Sequence, residues 1–129
     1  MKKHYNVVAA VIIINDLVFC AQRGYGSLKD KWEFPGGKIE QGETEQEALA
    51  REIKEELDTD IDVKEHLITT SYEYDDFSIT LHAYRCEVIK GNLLSNEHED
   101  ETWCAKENLM NKDWCPADIA IVEKILNSF

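Results

Sequence analysis

Basic residues are scarce in this chain: 14 Lys and Arg stand against 26 Asp and Glu, a formal net charge of -12 at pH 7. A protein that grips a long nucleic acid does so through Lys and Arg clustered on one face, and the field of this chain opposes such a partner. A small phosphorylated molecule is compatible with it, provided a divalent cation screens the acid. Long apolar runs are missing too. The longest, residues 7–14, is far shorter than the ~20 residues that cross a bilayer. Met1-Lys2-Lys3 lacks the apolar core and cleavage site of a secretory signal. The expected setting is therefore cytoplasmic, with no membrane partner. No internal repeat or low-complexity tract occurs, and 129 residues at 43% hydrophobic content suit one domain, residues 1–129, with a core of its own. Cys20, Cys86, Cys104 and Cys115 form no Cys-x-x-Cys pair and sit in apolar stretches, which points to reduced core thiols rather than zinc ligands or disulfides.

What the chain has in excess is carboxylate, and it is concentrated. Residues 36–59 read GGKIEQGETEQEALAREIKEELDT. Thr44 followed by Glu47 is a capping box, in which hydroxyl and carboxylate each satisfy a free backbone donor, so a helix should open at Thr44. Asp58, which tolerates the left-handed conformation of a helix exit, should end it. At about 100° per residue, Leu49, Ala50, Ile53 and Leu57 fall on one apolar face and Glu52, Glu55 and Glu56 on the adjoining one. Like charges at that spacing repel, and Arg51 and Lys54 are too few to neutralise them. One reading is a solvated acidic face. The other is a cation site, favoured by the approach Trp32-Glu33-Phe34-Pro35-Gly36-Gly37-Lys38, whose glycine pair lets backbone groups come close to a ligand. Carboxylates and an exposed carbonyl suit a hard octahedral ion, Mg2+ or Mn2+.

The remaining segments frame this helix. The β-branched run 7–14 reads as a central strand buried on both faces, Asn15-Asp16 as a tight turn, and residues 17–22 as the returning strand. That strand delivers Arg23 to the loop 24–31, as a phosphate contact or a solvated loop residue. Residues 61–74 and 77–88 alternate around Asp75-Asp76 as a long hairpin. An acidic loop, 96–101, lacks calcium-loop spacing and leads to a short strand around Trp103. Pro116 stands near the start of a helix to about Asn127, with Ile119, Val122, Ile125 and Leu126 as its buried stripe. Strands, helix, strands, helix imply an α/β (α+β) fold: a mixed β-sheet sandwiched between α-helices.

Gly37, five residues, Glu43, seven residues, then Arg51-Glu52-Ile53-Lys54-Glu55-Glu56 resembles the Nudix box, G-x5-E-x7-R-E-U-x-E-E-x-G-U, at every charged position. It departs only where Asp58 and Thr59 replace the usual glycine and aliphatic residue. Val8-Ala9-Ala10, Ala21-Gln22-Arg23, Trp32-Glu33-Phe34, Leu81-His82-Ala83, Glu97-His98 and Pro116-Ala117-Asp118-Ile119 together look like the CTP pyrophosphohydrolase branch of the MutT-type Nudix hydrolases. Tyr72 stands where that branch carries a basic residue. The resemblance implies the Nudix fold and hydrolysis of a nucleoside triphosphate to the monophosphate and pyrophosphate. It implies Mg2+ (or Mn2+) held by Gly37, Glu52, Glu55, Glu56 and Glu97, with Glu99 the alternate for Glu97. Glu52 or Glu55 would be the general base, and Arg51 would orient the carboxylates. Arg23, Glu33, Phe34, Lys38 and Asp118 form the implied substrate set. At its end, an ionised Asp118 accepting from a cytosine amino group would favour CTP or dCTP over UTP; the alternative role for Asp118 is a helix-start residue stabilised by the dipole. Two other functions compete: an 8-oxo-dGTP sanitising pyrophosphohydrolase, and a Nudix-fold sensor that binds nucleotide without turnover, which the intact glutamates oppose. A monomer or homodimer is expected.

Overall fold

A computed structural model describes residues 2–24, 26–93 and 98–129. Its elements run β1 (Lys3–Ile14), β2 (Leu17–Arg23), β3 (Trp32–Glu33), β4 (Gly36–Lys38), α1 (Glu45–Leu57), β5 (Asp60–Glu73), β6 (Phe77–Lys90) and β7 (His98–Ala105), then a 3-10 helix (Lys106–Asn111), a shorter one (Pro116–Asp118) and α2 (Ile119–Ser128). Strand β1 organises the rest because its apolar run needs cover on both faces. Val8, Ala10 and Ile12 join Ala48, Leu49, Ile53 and Leu57 of α1 in one core. Ala9 and Val11 join Ile121, Val122 and Ile125 of α2 in the other. Since successive side chains of a strand point to opposite faces, the two helices must lie on opposite sides of the sheet.

The sheet is mixed. Strand β1 runs parallel to β6 from Lys3↔Phe77 to Ile12↔Cys86, whereas its pairings with β2 and β4 are antiparallel. Strand β2 also carries β3 and β7, and β6 carries β5, all antiparallel. Asn15 and Asp16 turn β1 into β2 with φ of 52° and 65°, the left-handed pair that matches strand twist in a two-residue hairpin. The mixed sheet between helices is thus the observed architecture.

Helix α1 starts and stops where its sequence says. Thr44 Oγ1 accepts the Glu47 N–H at 3.1 Å and Glu47 Oε1 accepts the Thr44 N–H at 2.9 Å. Asp58 is left-handed (φ 48°, ψ 43°), and its N–H reaches the Lys54 carbonyl at 3.1 Å. Thr59, in place of an aliphatic residue, is fully buried. Its hydroxyl donates to the Leu57 carbonyl at 2.8 Å and accepts the Leu93 N–H at 2.9 Å, so the polar atom is satisfied and the exit is kept.

Two apolar stripes differ in phase from expectation. In α1 the buried alanine is Ala48, with Ala50 only half-buried. At about 100° per residue, Ala48, Glu52, Glu56 and Leu49 share one arc, so this rotation carries two glutamates inward. In α2, Ile119 is 40% exposed and Ile121 is fully buried, with Val122 and Ile125 as expected and Leu126 partly buried. Which face of α2 is buried follows from how the helix seats on β1, with Ile121, Val122 and Ile125 in one core with Ala9 and Val11. All four cysteines are buried and free. Among the described residues no helix is long and apolar enough to cross a membrane.

Candidate active site

The glycine pair serves close approach. Strand β4 lies on β1 with Ala9↔Gly36 and Val8↔Gly37 in register. A Cβ on Gly36 would run into the Val8 carbonyl, and one on Gly37 would land on the Glu52 carboxylate. The backbone at Gly37 therefore touches the Glu52 carboxylate, which any larger residue would displace.

Arg51 locks that arrangement. Its Nε and Nη2 grip both oxygens of Glu43 at 2.7 and 3.0 Å, the bidentate geometry that best restrains a guanidinium. Nη2 also donates to the Lys38 carbonyl at 3.0 Å, and Nη1 to Glu52 at 3.0 Å and Glu55 at 3.3 Å. Hydrogen bonding to Glu43 raises the Arg51 pKa, and the same bond holds the Glu43 carboxyl below the usual carboxylate range, assisted by the Glu40 N–H. One cation thus ties the loop, β4 and α1 together.

A cleft of about 560 Å3 opens beside this lock. The segment from Glu33 to Lys38 borders it. Two groups of contacting residues line it, Gly37 and Glu52 with Lys38 and Glu56, and Arg23 and Glu33 with Phe34 and Asp118. Eight residues singled out in the sequence share this cavity. Arg51 stands behind Glu52 rather than among the lining residues, and Glu55, 60% exposed, lies on Arg51 outside the cleft. Glu97 falls outside the described residues, as does the side chain of Glu99. Tyr72 is 39% exposed and does not line the cleft.

The second group forms a partly buried polar corner. Arg23 Nη1 pairs with Glu33 Oε1 at 3.0 Å. Asp118, 7% exposed, accepts the Phe34 N–H at 2.9 Å through Oδ2. Asp118 stands at the start of α2 but makes no side-chain cap to it, bonding instead across the fold. Burial pushes its pKa up to about 8, with the Glu33 charge adding and the Phe34 bond and Arg23 opposing. The shift runs against the expectation of an ionised acceptor and favours the carboxylic acid, which can donate as well as accept.

An aromatic wall completes the cavity and had no signal in local spacing. Tyr5, Tyr74 and Phe77 line it. Tyr74 stacks on Phe77 at 4.8 Å, Tyr5 meets Phe77 edge-on at 5.9 Å, and the Lys38 ammonium sits 4.1 Å over the Tyr5 ring. They meet because the parallel register sets Lys3 opposite Phe77 and Tyr5 opposite Ile79; only the aromatic residues flanking Asp75-Asp76 hinted at it.

The donor set fits a hard divalent cation. Two carboxylates, Glu52 and Glu56, border the cleft with the Gly37 backbone, and the lack of a Cβ at Gly37 leaves room against Glu52. Among the described residues no three His, Cys, Asp or Glu side chains make a metal cage. Two carboxylates beside a backbone carbonyl suit an ion such as Mg2+, which keeps waters and takes one or two carboxylates plus substrate phosphate oxygens.

The NUDIX domain model matches residues 4–125. The chain is 34% identical over 125 residues to the CTP pyrophosphohydrolase of Escherichia coli (96% of this chain, 93% of that protein). It is 37% identical over 129 residues to the putative 8-oxo-dGTP diphosphatase 2 of Mycobacterium tuberculosis (94% and 89%). A solution structure of a MutT protein of the Nudix hydrolase family from methicillin-resistant Staphylococcus aureus 252 superposes with a TM-score of 0.81 at 43% identity, covering 100% of both chains. With the fold, the box and the cleft in view, the chain belongs to the Nudix family. Within it, this is a MutT-type Nudix hydrolase, an enzyme acting on phosphoanhydride bonds as a pyrophosphohydrolase.

Proposed function

We propose that the substrate is CTP or dCTP, ring-modified forms included, cleaved to the monophosphate and pyrophosphate with Mg2+ or Mn2+. The observation that carries this is one cleft bordered by Glu52, Glu56 and Gly37 and also by Glu33 and Asp118. Similarity to a CTP pyrophosphohydrolase supports it.

Glu52, Glu56 and the Gly37 carbonyl would hold the cation, with Glu97 and Glu55 as further candidate ligands. When bound, the ion supplies neutralisation of phosphate charge and acidification of a water. Glu52 is better placed than Glu55 to take the proton of that water, since it borders the cleft while Glu55 faces solvent. Arg51 keeps Glu52 aimed, and Lys38, parked over Tyr5, offsets charge on the phosphates. Arg23 can reach phosphate or hold Glu33, with which it is ion-paired.

At the base end a donor stands beside an acceptor: neutral Asp118 and the Glu33 carboxylate paired with Arg23. Cytosine presents an exocyclic amino donor next to a ring-nitrogen acceptor. Uracil presents the reverse, a carbonyl next to a ring N–H. A fixed donor and acceptor can satisfy only one order, and a matched pair discriminates by roughly 1–3 kcal/mol. A second reading, an 8-oxo-dGTP diphosphatase, is favoured by that same Asp118 hydroxyl, which could donate to the guanine carbonyl. The 37% identity to a putative enzyme of that name supports it.

Phosphate release coupled to pyrophosphatase, with and without Mg2+ or Mn2+, separates the readings across CTP, dCTP, UTP and 8-oxo-dGTP. CTP or dCTP should exceed UTP by tens-fold in kcat/KM, and activity should vanish in chelator. A higher value for 8-oxo-dGTP transfers the assignment to the second reading. Metal-dependent nucleotide binding without release of pyrophosphate makes the protein a sensor.

A further inference from the structure

The short helix that carries Asp118 starts without a cap of its own. Cys115 precedes it and makes no side-chain hydrogen bond to it. Pro116 has no N–H to offer, so the first free donor at this start is the Ala117 N–H, on a residue only 3% exposed. A buried N–H left unpaired is costly. This one donates to Tyr74 Oη at 3.2 Å. Tyr74 comes from the far side of the cavity, where β5 ends. Its own N–H closes the Asp75-Asp76 turn onto the Phe77 carbonyl at 2.7 Å. Its ring is fixed by stacking on Phe77 at 4.8 Å and by tilted contact with Tyr72 at 4.7 Å. Burial pushes the phenol up to about 12, so it remains neutral and keeps the oxygen available to accept.

Asp118 is thereby held from two directions. Its carboxyl is anchored by the Phe34 N–H at 2.9 Å, and its main chain is anchored one residue earlier by Tyr74. Building on the base end described above, we infer that Tyr74 is a positioning residue for nucleobase discrimination: its hydroxyl replaces the missing helix cap and sets where Asp118 meets the base.

Tyr74→Phe keeps the ring and its stacking and removes only the hydroxyl. The quantity to measure is the ratio of Kd values for the α,β-methylene analogues of CTP and UTP, by titration calorimetry with Mg2+, so that it is read whether or not the enzyme turns over. Wild type, Tyr74→Phe, Asp118→Ala and the double variant form a cycle. The ratio should fall about fivefold to tenfold in Tyr74→Phe, the effect of one lost hydrogen bond, and the double variant should match Asp118→Ala alone. Tyr72→Phe, which removes a neighbouring hydroxyl that does not hold Ala117, should leave the ratio as in wild type. A ratio unchanged in Tyr74→Phe, losses that multiply in the double variant, an equal loss in Tyr72→Phe, or no base preference in wild type each overturns the inference. Failure of wild type to cleave CTP while the binding ratio shifts as expected instead overturns the substrate reading and leaves the positioning role standing.

Discussion

Two polar residues stand at helix starts in this protein, Thr44 before α1 and Asp118 before α2, and they behave in opposite ways. Thr44 bonds three residues along its own chain and closes a capping box. Asp118 makes no cap and reaches across the fold to the Phe34 N–H. The group proposed for metal draws Glu52 and Glu56 from the first helix, and the group proposed for the base draws Asp118 from the start of the second. The comparison teaches that a helix start able to satisfy itself leaves its helix free to present side chains at fixed spacing, as α1 does with Glu52 and Glu56. A start that borrows its partners becomes a joint between distant segments, and what it presents depends on all of them.

The sharpest way to probe the α1 end is to remove its charge. Glu56→Gln and Glu52→Gln should keep the fold, checked by circular dichroism, and lose turnover by on the order of a thousandfold. Glu55→Gln, outside the cleft, should lose about tenfold or less. Equal losses at all three positions, measured as kcat under saturating Mg2+, would break the distinction between the arc facing β4 and the rim.

Metal should stabilise this end as well. An ion that binds only the folded state adds about 2.7 kcal/mol at a hundredfold excess over its Kd, while relieving repulsion between Glu52 and Glu56. Millimolar Mg2+ or Mn2+ should raise Tm by several degrees relative to chelator in wild type, and by clearly less in Glu56→Gln. Superimposed melting curves would return the acidic face to the status of a solvated surface.

At the α2 end the informative pair is Asp118→Ala and Asp118→Asn. A neutral carboxylic acid and an amide both offer one acceptor and one donor. At pH 7 the Asn variant should therefore keep most of the cytosine-over-uracil ratio in kcat/KM, whereas Ala should lose about tenfold of it. Stability supplies an independent check. A carboxyl whose folded pKa is raised, here to about 8 from the ordinary aspartate range, contributes stability that is fully present below the unfolded pKa and is lost as pH rises through the folded one. Wild-type Tm should thus decline between about pH 4 and pH 8 relative to Asp118→Asn, which cannot titrate. Parallel Tm profiles for the two proteins would show that Asp118 is ionised throughout.

The smallest expected effect belongs to Thr44. Thr44→Ala removes a cap worth ~1 kcal/mol and should lower Tm by a few degrees without moving the base ratio. A shift in base preference would mean that the two helix starts are coupled, against the contrast drawn above.

Much of this molecule was legible before folding was considered. The spacing from Gly37 through Glu43 to Arg51 and Glu56 is local chemistry on one helix and its approach, and the structure gathers Gly37, Glu52 and Glu56 along one cleft with Arg51 bonding both Glu43 and Glu52. The strand 7–14, the turn at Asn15-Asp16 and the exit at Asp58 were likewise readable, because alternation, turn preference and left-handed tolerance act over a few residues. The phase of the apolar stripes was not. Ala48 rather than Ala50, and Ile121 rather than Ile119, are buried because of how each helix seats on the sheet.

The sequence by itself determined the order of elements, the family and the carboxylates, since these rest on spacing within a single helix and on the hydrophobicity of single strands. Only the tertiary structure decided the state of Asp118 and the company it keeps. An aspartate beside a helix start reads as ionised and exposed. Its protonation is set by desolvation and by the charges of Glu33 and Arg23, and its place by Phe34 from one loop and Tyr74 from the end of β5. Those groups are distant in the chain and meet only when the sheet closes around the cleft.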